Sequence, residues 1–253
     1  MKSINIKDPA DRFDLSYVFA NNFASFGKNK SALVEMCEIA KNIAPGVHAR
    51  AVLVHPGDIH ETVSLLKGSP VRSEVVIDFP DGLGGAETKF VQAKVTKEAG
   101  AVGGDVVLNL HKVATRDEKG IRGELLSARK HLEEVKVIAQ VPYLWQYDRE
   151  SLPWLLPILA ECGVYCLKDW TTRTDNFLLP DGDELDYTLE TRLGYIKYLS
   201  DYISSHSLPL ILKVAGKVTK ENVFSFVSAG AVLIGTSYRK AESLRKALLE
   251  ESR

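Results

Sequence analysis

The sequence predicts a single α/β domain spanning residues 1–253, folded as a (β/α)8 TIM barrel, and three observations carry the prediction. Short apolar, β-branched runs alternate with helix-like segments from one end to the other. The runs are nearly continuous in apolar character, as suits parallel strands covered on both faces. The chain has 253 residues, a length that accommodates eight βα units, and no linker divides it. An open doubly wound sheet is the alternative arrangement for the same alternation.

In chain order, Phe13–Val18 reads as a short first strand and Lys30–Asn42 as a helix, with Leu33, Val34, Cys37 and Ala40 at helical spacing. Ala51–His55 and Val75–Phe79 are the next strands. The glycines Gly82, Gly84 and Gly85 lack the spacing and downstream acid of a dinucleotide loop, so they read as a turn into a helix over Ala86–Ala99. Asp105–Leu110 is a strand, Gly123–Glu134 a helix, Val135–Val141 a strand and Leu152–Cys162 a helix. The strand Val164–Lys168 runs into the most loop-like stretch of the chain, Thr171–Asp186, which carries Asp-Asn and Pro-Asp-Gly-Asp and is of mixed polarity. A loop this long in a compact domain is often functional. Leu189–Ser204, Lys220–Ala229 and Lys240–Glu251 are helices around the strands Leu208–Val214 and Ala231–Gly235. Repeated units of this kind build a parallel sheet.

The composition narrows the function. Thirty-two basic residues face 33 acidic ones, which gives no reason to expect nucleic acid or an anionic membrane as partner. No apolar stretch is long enough to span a bilayer, and the N-terminal residues contain no apolar signal core. The three cysteines, Cys37, Cys162 and Cys166, show no metal-ligand spacing, and neither do the six histidines. The expectation is a soluble, cytoplasmic protein.

Two lysines then stand out. Lys168 ends the run Val-Tyr-Cys-Leu-Lys, and Lys213 ends Leu-Pro-Leu-Ile-Leu-Lys. An ammonium resists leaving water, so lysine is an unusual close to a buried strand. In a barrel, the C-terminal ends of the strands are where the chemistry sits. Two neighbouring amines lower one another's pKa, and a neutral lysine can attack a carbonyl. The competing reading is that both lysines sit at the rim and extend to solvent.

The C-terminal third adds a longer pattern: Ile211-Leu-Lys213-Val-Ala-Gly216, Thr219, a helix, then Ala229-Gly230-Ala231 and Ile234-Gly235-Thr236-Ser237. With it, the chain resembles the deoxyribose-phosphate aldolase family. Further segments follow in the family's order: Ala51-Val-Leu-Val-His-Pro56, Val76-Ile-Asp-Phe-Pro80, Gly104-Asp105, Val135-Lys-Val-Ile-Ala-Gln140 and Gly163-Val-Tyr-Cys-Leu-Lys168. Phe13-Asp-Leu-Ser is similar to the family's Ile-Asp-His-Thr start, with Leu15 in the histidine position.

The resemblance implies a Schiff-base aldolase that makes or cleaves a carbon–carbon bond in a phosphorylated sugar or aldehyde, with no metal or organic cofactor. It makes Lys168 the covalent lysine, Lys213 the second lysine that tunes it, and Asp105 the acid that handles protons. For Asp105 the competing reading is a buried ion pair with a lysine and no chemistry. Arg173, Gly216, Lys217, Gly235, Thr236 and Ser237 would form the substrate phosphate site. The partner implied is a small sugar phosphate or aldehyde, and a homo-oligomer is compatible with the family. The alternatives are a lysine aldolase for a different sugar phosphate or keto acid, and a barrel that binds a phosphorylated ligand without catalysis. The wall around the lysines departs from the family. Asp169-Trp-Thr-Thr-Arg173 replaces Thr-Ser-Thr-Gly, Lys217 replaces a glycine, Gln140 replaces a glutamate, and Trp170 and Tyr238 are expected to add bulk.

Overall fold

The computed structural model describes residues 4–18, 31–173, 179–180 and 182–251. Eight strands close into a barrel in sequence order: β1 (Phe13–Ser16), β2 (Ala51–Val54), β3 (Arg72–Ile77), β4 (Gly103–Val107), β5 (Glu134–Ile138), β6 (Cys166–Lys168), β7 (Ile211–Ala215) and β8 (Ala231–Thr236). Each strand pairs in parallel with its neighbours, and β8 pairs back onto β1. The closed barrel is the predicted fold, and the open sheet is excluded.

The helices are α1 (Ala32–Lys41), α2 (Ile59–Leu65), α3 (Gly85–Glu98), α4 (Leu110–Ala114), α5 (Glu118–Arg129), α6 (Val141–Tyr147), α7 (Ser151–Glu161), α8 (Leu189–Ser205), α9 (Val223–Ser228) and α10 (Ala241–Glu251). Helices α2, α4 and α6 are absent from the sequence reading, because seven residues or fewer give at most two turns of periodicity. The helix expected over Gly123–Glu134 lies earlier: the Asp117 side chain accepts from Gly120 N and starts α5, while Glu134 already belongs to β5. Lys30, and residues 174–178 and 181 of the expected loop, lie outside the described residues.

The apolar core is a ring rather than a centre. It fills the space between the barrel and its helices, from Phe13 and Leu15 through Val137, Leu155 and Leu199 to Ile234. Inside the barrel, Ala51, Leu53 and Val76 form a small apolar cluster, joined by the partly buried Val18 and Phe79. Strand alternation points charged side chains inward as well, beside the buried Val107, Ile138, Cys166 and Leu233. Asp105 on β4 is in register with Lys136 on β5, and Lys168 on β6 with Lys213 on β7. The fold therefore sets two lysines side by side and faces them with carboxylates.

Candidate active site

Lys168 is the last residue of β6 and only 8% exposed, and Lys213 is 1% exposed. The rim reading of both lysines is therefore excluded: their amines lie inside the barrel mouth. Asp105, fully buried, joins them. Its Oδ2 accepts from Lys213 Nζ at 2.9 Å and from Lys168 Nζ at 3.2 Å. Gly235 on β8 makes room for this arrangement, since a Cβ there would come within 3.1 Å of Lys213 Cε.

Four charged residues that the sequence reading left out complete the interior. Asp14 on β1 accepts from Lys213 at 2.6 Å, Lys136 lies 2.9 Å from Asp105 Oδ1, and Glu74 on β3 pairs with Lys136. Arg50, just before β2, reaches Asp14 at 2.5 Å and Glu74 at 3.1 Å. Among the described residues, the interior thus holds four cations (Arg50, Lys136, Lys168, Lys213) and three anions (Asp14, Glu74, Asp105). An unbalanced charge in a buried site is costly, and shedding one proton removes the imbalance. Lys168 has the poorest partner, because it shares one oxygen of Asp105 with Lys213. Its pKa is lowered, first by burial and then by Lys213, with Asp105 pulling the other way. Burial works against ionised Asp105, but Lys136, Lys213 and Lys168 hold its pKa well below the usual carboxylate range. Lys136 is raised well above the ordinary lysine value against burial, by Asp105 and Glu74.

Asp14, Glu74 and Asp105 form the group of carboxylates, among the described residues, spaced closely enough to hold a metal ion. Their oxygens face Lys136, Lys213 and Arg50 instead, so protein cations already occupy the place of an ion.

A cavity of about 190 Å³ opens above Lys168. This is below the range of pockets that hold drug-sized ligands and suits a short-chain molecule. Of the expected phosphate residues, Gly216, Lys217, Gly235, Thr236 and Ser237 line it, together with Ser16, Thr171, Thr172 and Lys240. No acidic side chain is among the described lining residues. Gly216 has a left-handed φ of 66°, and a Cβ there would lie 2.0 Å from Thr172 Cγ2, so the turn at the cavity wall requires glycine. Lys217 Nζ stands 3.6 Å over the Tyr187 ring, and Lys240 Nζ donates to the Val218 carbonyl. Arg173 does not line the cavity. Its Nη2 donates to the Val18 carbonyl at 3.2 Å, beside the mouth.

The expected bulk of Trp170 and Tyr238 is corrected: each is 1% exposed, and neither lines the cavity. Trp170 Nε1 donates to the Ala215 carbonyl at 2.6 Å, and Tyr238 OH donates to Glu35. Asp169 is a strut beneath the wall. One of its oxygens accepts from Ala215 N at 2.8 Å and Trp170 N at 3.0 Å, and the other from Arg192 at 2.8 Å and Tyr195 OH at 3.1 Å. Arg192 also donates to the carbonyls of Ala215 and Gly216. Gln140 clasps Thr171, accepting from Thr171 N and donating to its Oγ1, each at 3.0 Å. The residues that depart from the family pattern hold the ends of β6 and β7 together and shape the cavity from behind.

No protein-family model matches the chain. It is 29% identical to a deoxyribose-phosphate aldolase of Treponema denticola over 143 residues, 55% of this chain and 63% of that protein. It is 24% identical over 189 residues to the deoxyribose-phosphate aldolase of Crocosphaera subtropica, covering 74% and 76% of the two chains, and 25% identical over 189 residues to that of Thermosynechococcus vestitus, covering 74% and 78%. The chain thus spans a little under two thirds of the first relative's length and about three quarters of the other two. Among solved structures, one titled an aldolase superposes with a TM-score of 0.74 at 22% identity, covering 98% of both chains. The deoxyribose phosphate aldolase of Aeropyrum pernix, whose structure is titled tetrameric, superposes with a TM-score of 0.71 at 22% identity, covering 96% of this chain and 91% of that one. At these identities the superpositions establish the shared barrel.

Proposed function

We propose that this chain, a relative of the deoxyribose-phosphate aldolases, is a class I aldolase that makes or cleaves a carbon–carbon bond in a short phosphorylated aldehyde or sugar. One observation carries the reading: of Lys136, Lys168 and Lys213, Lys168 alone lines the cavity, and burial lowers its pKa. Neutral Lys168 adds to the substrate carbonyl, and loss of water gives an iminium. In the cleavage direction, the substrate hydroxyl gives up its proton and an aldehyde departs. The electron pair of the broken carbon–carbon bond flows toward the iminium nitrogen and leaves an enamine. Protonation of the enamine and hydrolysis return the amine. Lys213 and Asp105, 2.9 Å apart beside Lys168, are the pair placed to hand protons to and from these intermediates.

The cavity mouth supports an anionic substrate. Lys217 and Lys240 stand at its rim with the Ser237 hydroxyl and the backbone of residues 235–237, and no described acid opposes them. Deoxyribose 5-phosphate and its unphosphorylated counterpart, compared as substrates, test the reading. The phosphorylated compound should be cleaved with the higher kcat/KM. Lys217→Ala and Lys240→Ala should each reduce that preference by roughly tenfold, a discounted value for exposed cations. Arg173→Ala should have the smaller effect, because its guanidinium is turned to Val18. Equal kcat/KM for the two compounds in the native protein would point to a keto acid or an uncharged sugar instead.

A cytoplasmic location belongs to the same proposal. Cys37, Cys162 and Cys166 are free and buried, and no described helix is long and apolar enough to cross a membrane. So does a homo-oligomer, by analogy with the Aeropyrum pernix protein, and light scattering on the purified chain reads it directly.

A further inference from the structure

The charged column continues below the reacting lysine, toward the closed end of the barrel, where the chemistry just described makes no use of it. Glu74 is fully buried, and its two oxygens have separate duties. Oε1 accepts from Arg50 Nη2 at 3.1 Å and Arg72 Nε at 3.0 Å, while Oε2 accepts from Lys136 Nζ. Arg50 is itself fixed: its Nη2 also donates to Tyr165 OH at 2.7 Å and lies 3.4 Å from Glu134. Glu134 in turn pairs with Arg72 at 2.9 Å. The guanidinium groups hold one side of Glu74, which aims the other side at Lys136.

We propose that Glu74 is a positioning residue that keeps Lys136 an ammonium against Asp105, so that Asp105 has little attraction left for a proton on Lys168. The inference takes from the proposed function only that Lys168 is the reactive amine.

The argument is one of charge balance. Lys136 is completely buried and cannot reach water. The groups facing it are Asp14 from β1 at 3.7 Å, Arg50 before β2, Glu74 from β3 and Asp105 from β4. The Tyr165 ring, just before β6, lies at 6.0 Å, β6 brings Cys166 with Lys168 beyond, and from β7 comes Lys213. Strand β8 contains no titratable residue. With Lys168 neutral, Arg50, Lys136 and Lys213 balance Asp14, Glu74 and Asp105. Remove the charge of Glu74, and three cations face two anions. Lys136 has then lost its nearest carboxylate, so it is the group that sheds a proton. Asp105 would be left with Lys213 alone, and Lys168 would hold its proton to higher pH.

The test titrates the Lys168 amine without turnover, so it stands even if no aldol substrate is found. Competitive acetylation by acetic anhydride across a pH series, read by peptide mass at Lys168, gives the midpoint at which the amine becomes free. Glu74→Gln should raise the midpoint by roughly one pH unit, and Lys136→Met should raise it by a similar amount. The double variant should show no further rise, because both changes remove the same charge. Glu74→Asp, which keeps the charge but withdraws the carboxylate from Lys136, should rise by no more than half as much, and it serves alone if Glu74→Gln does not fold. A midpoint that is unmoved or falls in Glu74→Gln, shifts that add in the double variant, or an unmoved midpoint in Glu74→Asp where that variant stands alone, would overturn the proposal.

Discussion

Lys168→Arg should lose carbon–carbon bond cleavage by roughly 10⁴-fold or more in kcat, equivalent to about 5.5 kcal/mol of transition-state stabilisation. Arginine is a demanding control. It keeps a positive charge within reach of Asp105 and preserves the ion pair that Lys168 makes at 3.2 Å. It cannot lose its proton at any accessible pH, so it cannot attack a carbonyl. The barrel should still fold, since Lys168 ends its strand at the open cavity and the longer side chain has space there. Aldehyde release measured beside circular dichroism separates the two effects. Activity within tenfold of the native protein would mean that no covalent lysine is involved.

Lys213→Leu should act on the same amine from the next strand. Lys213 and Lys168 are register partners, and both donate to Asp105 Oδ2. Taking Lys213 away removes a like charge and leaves Asp105 more of its own charge to offer Lys168. Both changes raise the Lys168 pKa. The reaction needs the free amine, so activity is lost as pH falls through that pKa, and a raised pKa moves the acid limb of the kcat/KM profile to higher pH. The size should be one unit or more, because the pair is buried and little screened. The substitution also leaves Asp14 Oδ2 without its 2.6 Å partner, and breaking a buried pair costs about 3–5 kcal/mol, so the melting temperature should fall as well. An acid limb in its native place, with full activity, would mean that Lys213 does not set the charge of Lys168.

Both predictions rest on lysines that were legible before the fold was known, and the reason is physical. Parallel strands are buried on both faces and read as unbroken apolar runs, so a lysine closing such a run is conspicuous. Asp14, Glu74 and Lys136 carry the same signal more quietly. Each sits within or beside an apolar run, in Phe-Asp-Leu, Ser-Glu-Val-Val-Ile and Val-Lys-Val-Ile. Period-two alternation places them inward, but which strand faces which across the barrel depends on closure and stagger, which no local pattern reveals. Arg50 was less accessible still, because it lies outside its strand and its partners Asp14, Glu74 and Glu134 come from three different strands.

The stretch after Lys168 shows the opposite failure. Asp169 and Trp170 differ from the resembling family, and a difference next to a covalent lysine reads as a rebuilt substrate wall. Their side chains turn instead into the space between β6, β7 and α8, where Arg192, twenty-three residues on, completes the cluster. Sequence spacing could not pair Asp169 with Arg192. The cavity wall itself is made by Thr171, Thr172 and the turn at Gly216, with Lys240 arriving from the last βα connection.

The central claim is that Lys168 forms an imine with a carbonyl substrate, and reductive trapping tests it most directly. The protein is mixed with acetaldehyde and sodium borohydride at neutral pH, and every lysine is mapped by peptide mass. The account predicts an ethyl adduct on Lys168 that saturates first, with Lys213, Lys136 and the surface lysines unmodified to any comparable degree. Adducts spread over the surface lysines with Lys168 untouched would contradict it.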